Sequence, residues 1–241
     1  MTQSKTLLPG RNPLREILKL HPERIVRVYS SGAKSPEILA QLEEKNIKVK
    51  EVSRDELDRM SGGSRHQGFV AELKERTLLS AKDFLSKDLD KSIVLLLDSI
   101  SDPHNFGAIL RAAECFAVDA VIWSANKGAG LTQVVAKTSV GASEIVPLVR
   151  VKNLARCVDD FKNAGYWAVG SMLSEQSQSV GEFEFPEKTL LMLGSEGNGL
   201  SPIIQKLADF QVKIPMFGQI DSLNVSQAAA VLLASYRNSG A

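Results

Sequence analysis

The sequence predicts an α/β chain built around a parallel sheet, and three observations carry that prediction. Residues 92–97 form the most continuous apolar run in the chain, as expected of a central strand covered on both faces. Two further apolar runs, 189–193 and 210–215, each lead into a polar turn or loop that opens a helical pattern. Between these runs strand and helix patterns alternate, the arrangement of a doubly wound sheet, whose ligand sites lie outside the C-terminal ends of the strands. With 241 residues and 44% hydrophobic residues the chain can fill a substantial core.

The N-terminal stretch reads as a smaller α/β unit. Pro13 after Asn12 starts a helix to Leu20, His21-Pro22 breaks it, and 25–29 alternates as a strand. Ser35-Pro36 opens a helix to about Lys45, 47–52 is a strand, and Ser53 with Glu56 forms a capping box. A glycine-rich turn, 62–68, precedes the strand 69–73. This places a domain at 1–75. Residues 76–91 are charged and contain no glycine or proline, so they read as a linker with some helical turns. The larger domain spans 92–241.

Within that domain, 120–123 is a strand, 131–139 a helix and 144–149 a strand. The loop 126–130 is either a polyanion contact or a plain connection. Asn153 caps a helix to about Ala164, 166–171 is a strand, and 172–188 is a polar connection without periodicity. Cys115 and Cys157 fall in amphipathic helices, where small buried hydrophobes are expected, and they point to a reducing compartment. No apolar stretch reaches the roughly 18 residues of a membrane span. The net charge of +1 confines any nucleic-acid binding to a local patch. His21, His66 and His104 lack metal-ligand spacing, so no metal site is assigned.

Three turns hold the candidate chemistry. Gly194-Ser195-Glu196-Gly197-Asn198-Gly199 has three glycines in six residues, which permits sharp bends and close approach to a ligand. No Gly-Lys-Ser/Thr follows, which excludes a phosphate-binding P-loop, and the glycine order departs from a dinucleotide fingerprint. Glu196, between glycines, is either functional or a solvated carboxylate. After 92–97, the polar turn 98–107 leads to a helix over 108–116. Asn105 and Arg111 are six residues apart and need not share a face unless Asn105 belongs to the loop; an ordinary exposed arginine is the alternative reading of Arg111. The third turn, 216–223, precedes a helix starting near Asn224 or Ser226.

Three ordered motifs, Asn105-Phe-Gly107-Ala-Ile-Leu-Arg111, Leu193-Gly-Ser-Glu196-Gly-Asn-Gly199-Leu-Ser201 and Ile214-Pro followed by Ser222-Leu-Asn224-Val-Ser226, resemble those of the SpoU family of RNA ribose 2'-O-methyltransferases. Leu8-Pro-Gly10-Arg-Asn-Pro and His66-Gln-Gly68-Phe-Val-Ala resemble the ends of the L30e-like substrate-binding domain that precedes the catalytic domain in ribosomal-RNA members. Asp102-Pro-His-Asn105 and 140–147 are most similar to the 23S ribosomal-RNA guanosine enzymes. Arg11, where many relatives carry isoleucine, and Gln227, where valine is common, depart from the pattern.

The resemblance implies a knotted, SPOUT-type methyltransferase domain over 92–241, a homodimer, a cytoplasmic location and S-adenosyl-L-methionine as cofactor. Gly194, Ile214 and Leu223 would contact that cofactor. Arg111 would act on the ribose hydroxyl, with Asn105, Glu196, Ser222 and Asn224 holding Arg111, the cofactor and the ribose in attack geometry. RNA is the implied partner, 23S ribosomal RNA foremost; the basic residues from Arg11 to Arg27 and Arg65 are candidates for phosphate contact. Transfer-RNA methylation and a non-catalytic RNA-binding or assembly role are the alternatives; the front domain argues against the first and the intact motif residues against the second.

Overall fold

The computed structural model describes residues 6–32, 35–63, 65–74 and 76–240, which divide into two compact units. The smaller comprises Met1–Thr77 together with Leu131–Ile145, and the larger comprises Leu78–Gly130 with Val146–Ala241.

In the smaller unit the chain runs β1 (Thr6–Pro9), α1 (Arg11–Leu20), β2 (Ile25–Ser30), α2 (Pro36–Glu44), β3 (Val49–Glu51), α3 (Arg54–Met60) and β4 (Phe69–Leu73). The strands form a sheet ordered β1-β4-β2-β3, with β4 antiparallel to both neighbours and β2 parallel to β3. Leu14, Ile17 and Leu18 recur at helical spacing on α1 and pack with Val28, Ile38, Leu42, Phe69 and Ala71 in the unit's main core. Gly10 caps α1 at a φ of 115°, a backbone region that disfavours side chains. The sequence pattern does not predict β1.

The larger unit contains α4 (Ala81–Leu85), β5 (Ser92–Asp98), α5 (Pro103–Cys115) and β6 (Ala120–Ser124). The chain then contributes α6 (Gln133–Thr138) to the smaller unit before returning as β7 (Leu148–Val151), α7 (Leu154–Asn163), β8 (Trp167–Ser171), β9 (Gln178–Ser179), β10 (Lys188–Gly194), α8 (Pro202–Leu207), β11 (Phe210–Lys213) and α9 (Val225–Asn238). Its seven-stranded sheet is ordered β7-β6-β5-β10-β8-β11-β9, and every pairing is parallel. All seven residues of β5 are buried. Val94 and Leu96 join the core under α7 and α8. Their buried neighbours Leu95 and Leu97 point to the opposite face, and α9 packs against both α5 and β10.

The helical turns expected over 76–91 are α4, started by a capping box at Ser80 and Asp83, with Phe84 buried 5.8 Å from the Phe161 ring. Three expectations are corrected. Residues 131–145 fold with the smaller unit rather than the larger. There Ala136 enters the core of α1 and β4, and Glu144 accepts from Arg24 at 2.5 Å in a partly buried pair. The strand expected over 144–149 begins at Leu148, after a 3-10 turn at Ala142–Glu144. Within 172–188, Phe183 and Phe185 are buried edge-to-face at 4.9 Å, so burial of aromatic side chains, not periodicity, organises that connection.

Candidate active site

The site is assembled where β5, β10 and β11 end. Gly194 on β10 lies beside Asp98 on β5 in the parallel register, so the turns after these strands begin side by side. The turn after β10 doubles back on itself. Ser195 and Gly199 exchange backbone hydrogen bonds of 3.1 and 2.9 Å, with Gly197 and Gly199 at φ of 82° and 62°. A Cβ on Gly194 would fall 1.9 Å from the carbonyl carbon of Gly199, so only glycine permits this crossing. Asp98, buried at the strand end, fixes the far side of the turn by accepting from the Ser201 N–H at 2.8 Å and from the Ser99 hydroxyl at 3.0 Å.

Glu196 projects from this turn and is held from two directions. Its Oε1 accepts from Asn105 Nδ2 at 3.1 Å, from Asn224 Nδ2 and from the Val225 N–H at 3.4 Å. Asn224 Nδ2 also donates to Asn105 Oδ1 at 2.9 Å, closing a ring of three side chains. Each asparagine is itself anchored at a helix start. Asp102 caps α5 and accepts from the Asn105 N–H at 3.3 Å. Asn224 caps α9 by accepting from the Ser226 N–H at 2.8 Å and the Ser226 hydroxyl at 2.6 Å. A carboxylate at the N-terminus of α9 also meets the positive end of the helix dipole. Glu196 thus ties the β10 turn, α5 and α9 together.

A cavity of about 790 Å³ opens beside this ring, lined in part by Gly194, Glu196, Ile214, Ser222, Leu223 and Asn224. These six sequence-predicted residues come from three separate stretches and converge on one space. Leu193, Leu200 and Met172 supply apolar wall, and its size suits a small organic ligand. Glycine backbone, aliphatic side chains and few committed charges fit a cofactor with an aromatic base and a sulfonium centre better than a polyphosphate.

Asn105 and Arg111 are placed differently. α5 starts at Pro103, five residues before the expected start, so Asn105 sits in its first turn rather than in a loop. Six residues of helix turn Arg111 about 120° away from Asn105 and about 9 Å along the axis. Arg111 is exposed, does not line the cavity and makes no hydrogen bond or ion pair with a described residue. The ring therefore does not hold Arg111, contrary to the sequence expectation. Ser222 also stands outside the ring; its hydroxyl donates to Asp221 at 3.2 Å.

Sequence reasoning missed Asp98, Lys213 and Asp221 as site residues. Asp98 had a visible signal, a carboxylate ending the most apolar run of the chain, a position where burial demands a partner. Lys213 and Asp221 had no local signal. The loop 126–130 is a tight connection: Gly128 packs on Trp123, whose indole N–H donates to the Ala129 carbonyl at 3.1 Å. Burial pushes the Cys157 thiol up to about 12, whereas Cys115 is exposed, not buried as its helix pattern suggested.

Residues 92–234 match the SpoU rRNA methylase family, and residues 7–79 match the RNA 2'-O ribose methyltransferase substrate-binding family. The chain is 36% identical over 222 residues to the 23S rRNA (guanosine-2'-O-)-methyltransferase RlmB of Neisseria meningitidis, covering 90% of this chain and 88% of that one. It is 37% identical over 231 residues to the RlmB of Coxiella burnetii, covering 93% and 92%. The fold is shared with the SpoU methyltransferase AviRb of Streptomyces viridochromogenes in complex with AdoMet, at a TM-score of 0.77 and 23% identity over 97% of this chain and 89% of that one. The chain belongs to the SpoU rRNA methylase family.

Proposed function

We propose that this protein transfers a methyl group from S-adenosyl-L-methionine to a ribose 2'-hydroxyl of RNA, with a guanosine of 23S ribosomal RNA as its target. The observation that carries the reading is the convergence of Gly194, Glu196, Ile214, Ser222, Leu223 and Asn224 on one cavity. The substrate follows from the front-domain match over 7–79 and from the names of the RlmB relatives. That front domain also disfavours a transfer-RNA target.

When bound, the cofactor supplies an electrophilic methyl group on a sulfonium sulfur. Gly194, Ile214 and Leu223 would hold it, with backbone groups available to an adenine and aliphatic side chains against its faces. The ribose hydroxyl must give up its proton to solvent water as its oxygen accepts the methyl group and the sulfur is left as a neutral thioether. A guanidinium stays protonated throughout the physiological range, so Arg111 acts by orienting the hydroxyl and stabilising developing alkoxide charge, not as a free base. Its exposed side chain, bonded to no described residue, is available to RNA. The Asn105–Glu196–Asn224 ring keeps the cavity wall and both helix starts in fixed geometry, a contribution to rate made through position.

The same reading extends to assembly and place. A homodimer is supported by Phe217 and Ile220, large apolar residues 95% and 78% exposed on the β11–α9 loop. A trefoil knot is supported by the late insertion of β10 between β5 and β8, and by the tight Gly194 crossing. The unpaired Cys115 and Cys157 and an RNA substrate suit a reducing cytoplasm.

The test is methyl transfer from labelled S-adenosyl-L-methionine to 23S ribosomal RNA and, separately, to bulk transfer RNA, with Arg111→Ala as control. Ribose label in 23S RNA that disappears in the variant is expected. Label confined to transfer RNA overturns the substrate; cofactor binding without label in either RNA or in ribosomal precursor particles overturns the catalytic reading.

A further inference from the structure

The charges lining the cavity are unevenly committed. Glu196 already accepts three N–H groups. The two other charged residues on the wall are Lys213, at the end of β11, and Asp221, in the loop before α9. Lys213 is half-buried, and its ammonium makes no hydrogen bond or ion pair with a described residue. Asp221 is engaged only by the neighbouring Ser222 hydroxyl among the described residues. The cavity lining therefore includes a cation and a carboxylate with acceptor capacity to spare.

A cationic and an anionic residue lining one small-molecule cavity, with no contact to one another, complement a ligand that carries both signs. The proposed cofactor does so at its amino-acid end, an α-carboxylate and an α-ammonium on one carbon. Resting on that cofactor reading, we propose that Lys213 binds the α-carboxylate and Asp221 the α-ammonium of S-adenosyl-L-methionine, making these two residues the recognition point for the amino-acid end of the ligand. Lys213 is half-buried and Asp221 exposed; charge-assisted hydrogen bonds are stronger than neutral ones, so each contact discriminates for the intact amino acid. Gly194, Ile214 and Leu223, which carry no charge, would serve the adenosyl part.

The experiment compares two ligands by calorimetry with the full chain. S-adenosyl-L-homocysteine has the amino-acid end; 5'-methylthioadenosine keeps the adenosyl and sulfur and lacks it. In Lys213→Met and Asp221→Asn, affinity for S-adenosyl-L-homocysteine is expected to fall about tenfold each, while affinity for 5'-methylthioadenosine stays within about twofold of wild type. Lys213→Arg, which keeps the cation, should recover most of the loss. Equal weakening of both ligands would mean general damage to the cavity and overturns the proposal. Unchanged affinity for both also overturns it, and does so even if RNA binding weakens, since Lys213 would then serve RNA phosphate. Failure of the wild-type protein to bind either ligand defeats the cofactor reading itself and is distinguishable from the other outcomes.

Discussion

Asn105 and Arg111 leave the same helix, yet one is fully engaged and the other is free. Asn105 lies in a closed ring with Glu196 and Asn224, and each of the three is fixed to a different element. Arg111, less than two turns on, is exposed and bonded to no described residue. The difference separates two kinds of site residue. The ring is architecture, holding the β10 turn against two helix starts. Arg111 is a charge with no partner among the described residues, set on a rigid helix.

The severest way to break that comparison is to remove the framework beneath both. In Gly194→Ala the new methyl group would overlap the Gly199 backbone, so the turn carrying Glu196 must shift. We expect a stability loss of roughly 3 kcal/mol in denaturant unfolding, together with loss of S-adenosyl-L-homocysteine binding. Retention of wild-type affinity would show that the turn is not needed for the cavity.

Arg111→Ala separates the two halves. Methyl transfer should fall about 100-fold or more, the scale for removing one electrostatic stabiliser of a developing anion, while thermal stability and cofactor affinity stay at wild type. A matching drop in stability would place Arg111 in the framework instead.

Glu196→Gln tests the ring more gently, because an amide oxygen can still accept both asparagine N–H groups. Loss of the charge-assisted part is expected to slow transfer about tenfold and to cost about 0.5 kcal/mol at the α9 N-terminus, read by steady-state kinetics and by unfolding. Unchanged kinetics would make the ring a passive feature.

The smallest effect concerns Cys157. Burial holds its thiol protonated, with a pKa raised to about 12, so between pH 7 and 9 it should resist alkylation in the folded protein and react only on unfolding, as mass spectrometry would show. The sign follows from desolvation of the thiolate. This group favours folding below its ordinary range near 9, and that contribution is lost as pH rises toward 12.

Much of the site is legible in the sequence, for identifiable reasons. Gly194, Glu196 and Asn224 lie in turns whose composition is hard to explain by packing: glycines after a buried strand, and an asparagine before an alanine-rich helix. Asn105 is visible as a polar residue after 92–97, but its helical setting is not. Asp102 starts α5 by accepting two N–H groups, and a cap three residues earlier than Asn105 moves the helix start without changing the apolar pattern. Lys213 is hidden because an alternating strand end reads as ordinary, whatever space it faces.

By itself the sequence determined what depends on near neighbours: that β5, β10 and β11 are strands leading into helices, that β5 is buried on both faces, and that glycine and polar residues follow the strands that end at the site. Only the tertiary structure decided what depends on distant ones. It inserted β10 between β5 and β8, brought 105, 196 and 224 within hydrogen-bond reach, and assigned Leu131–Ile145 to the smaller unit through Ala136 and the Arg24–Glu144 pair. The physical reason is that local periodicity records which face of an element is apolar, whereas strand order and the choice of covering partner are settled by burial and pairing between residues far apart in the chain.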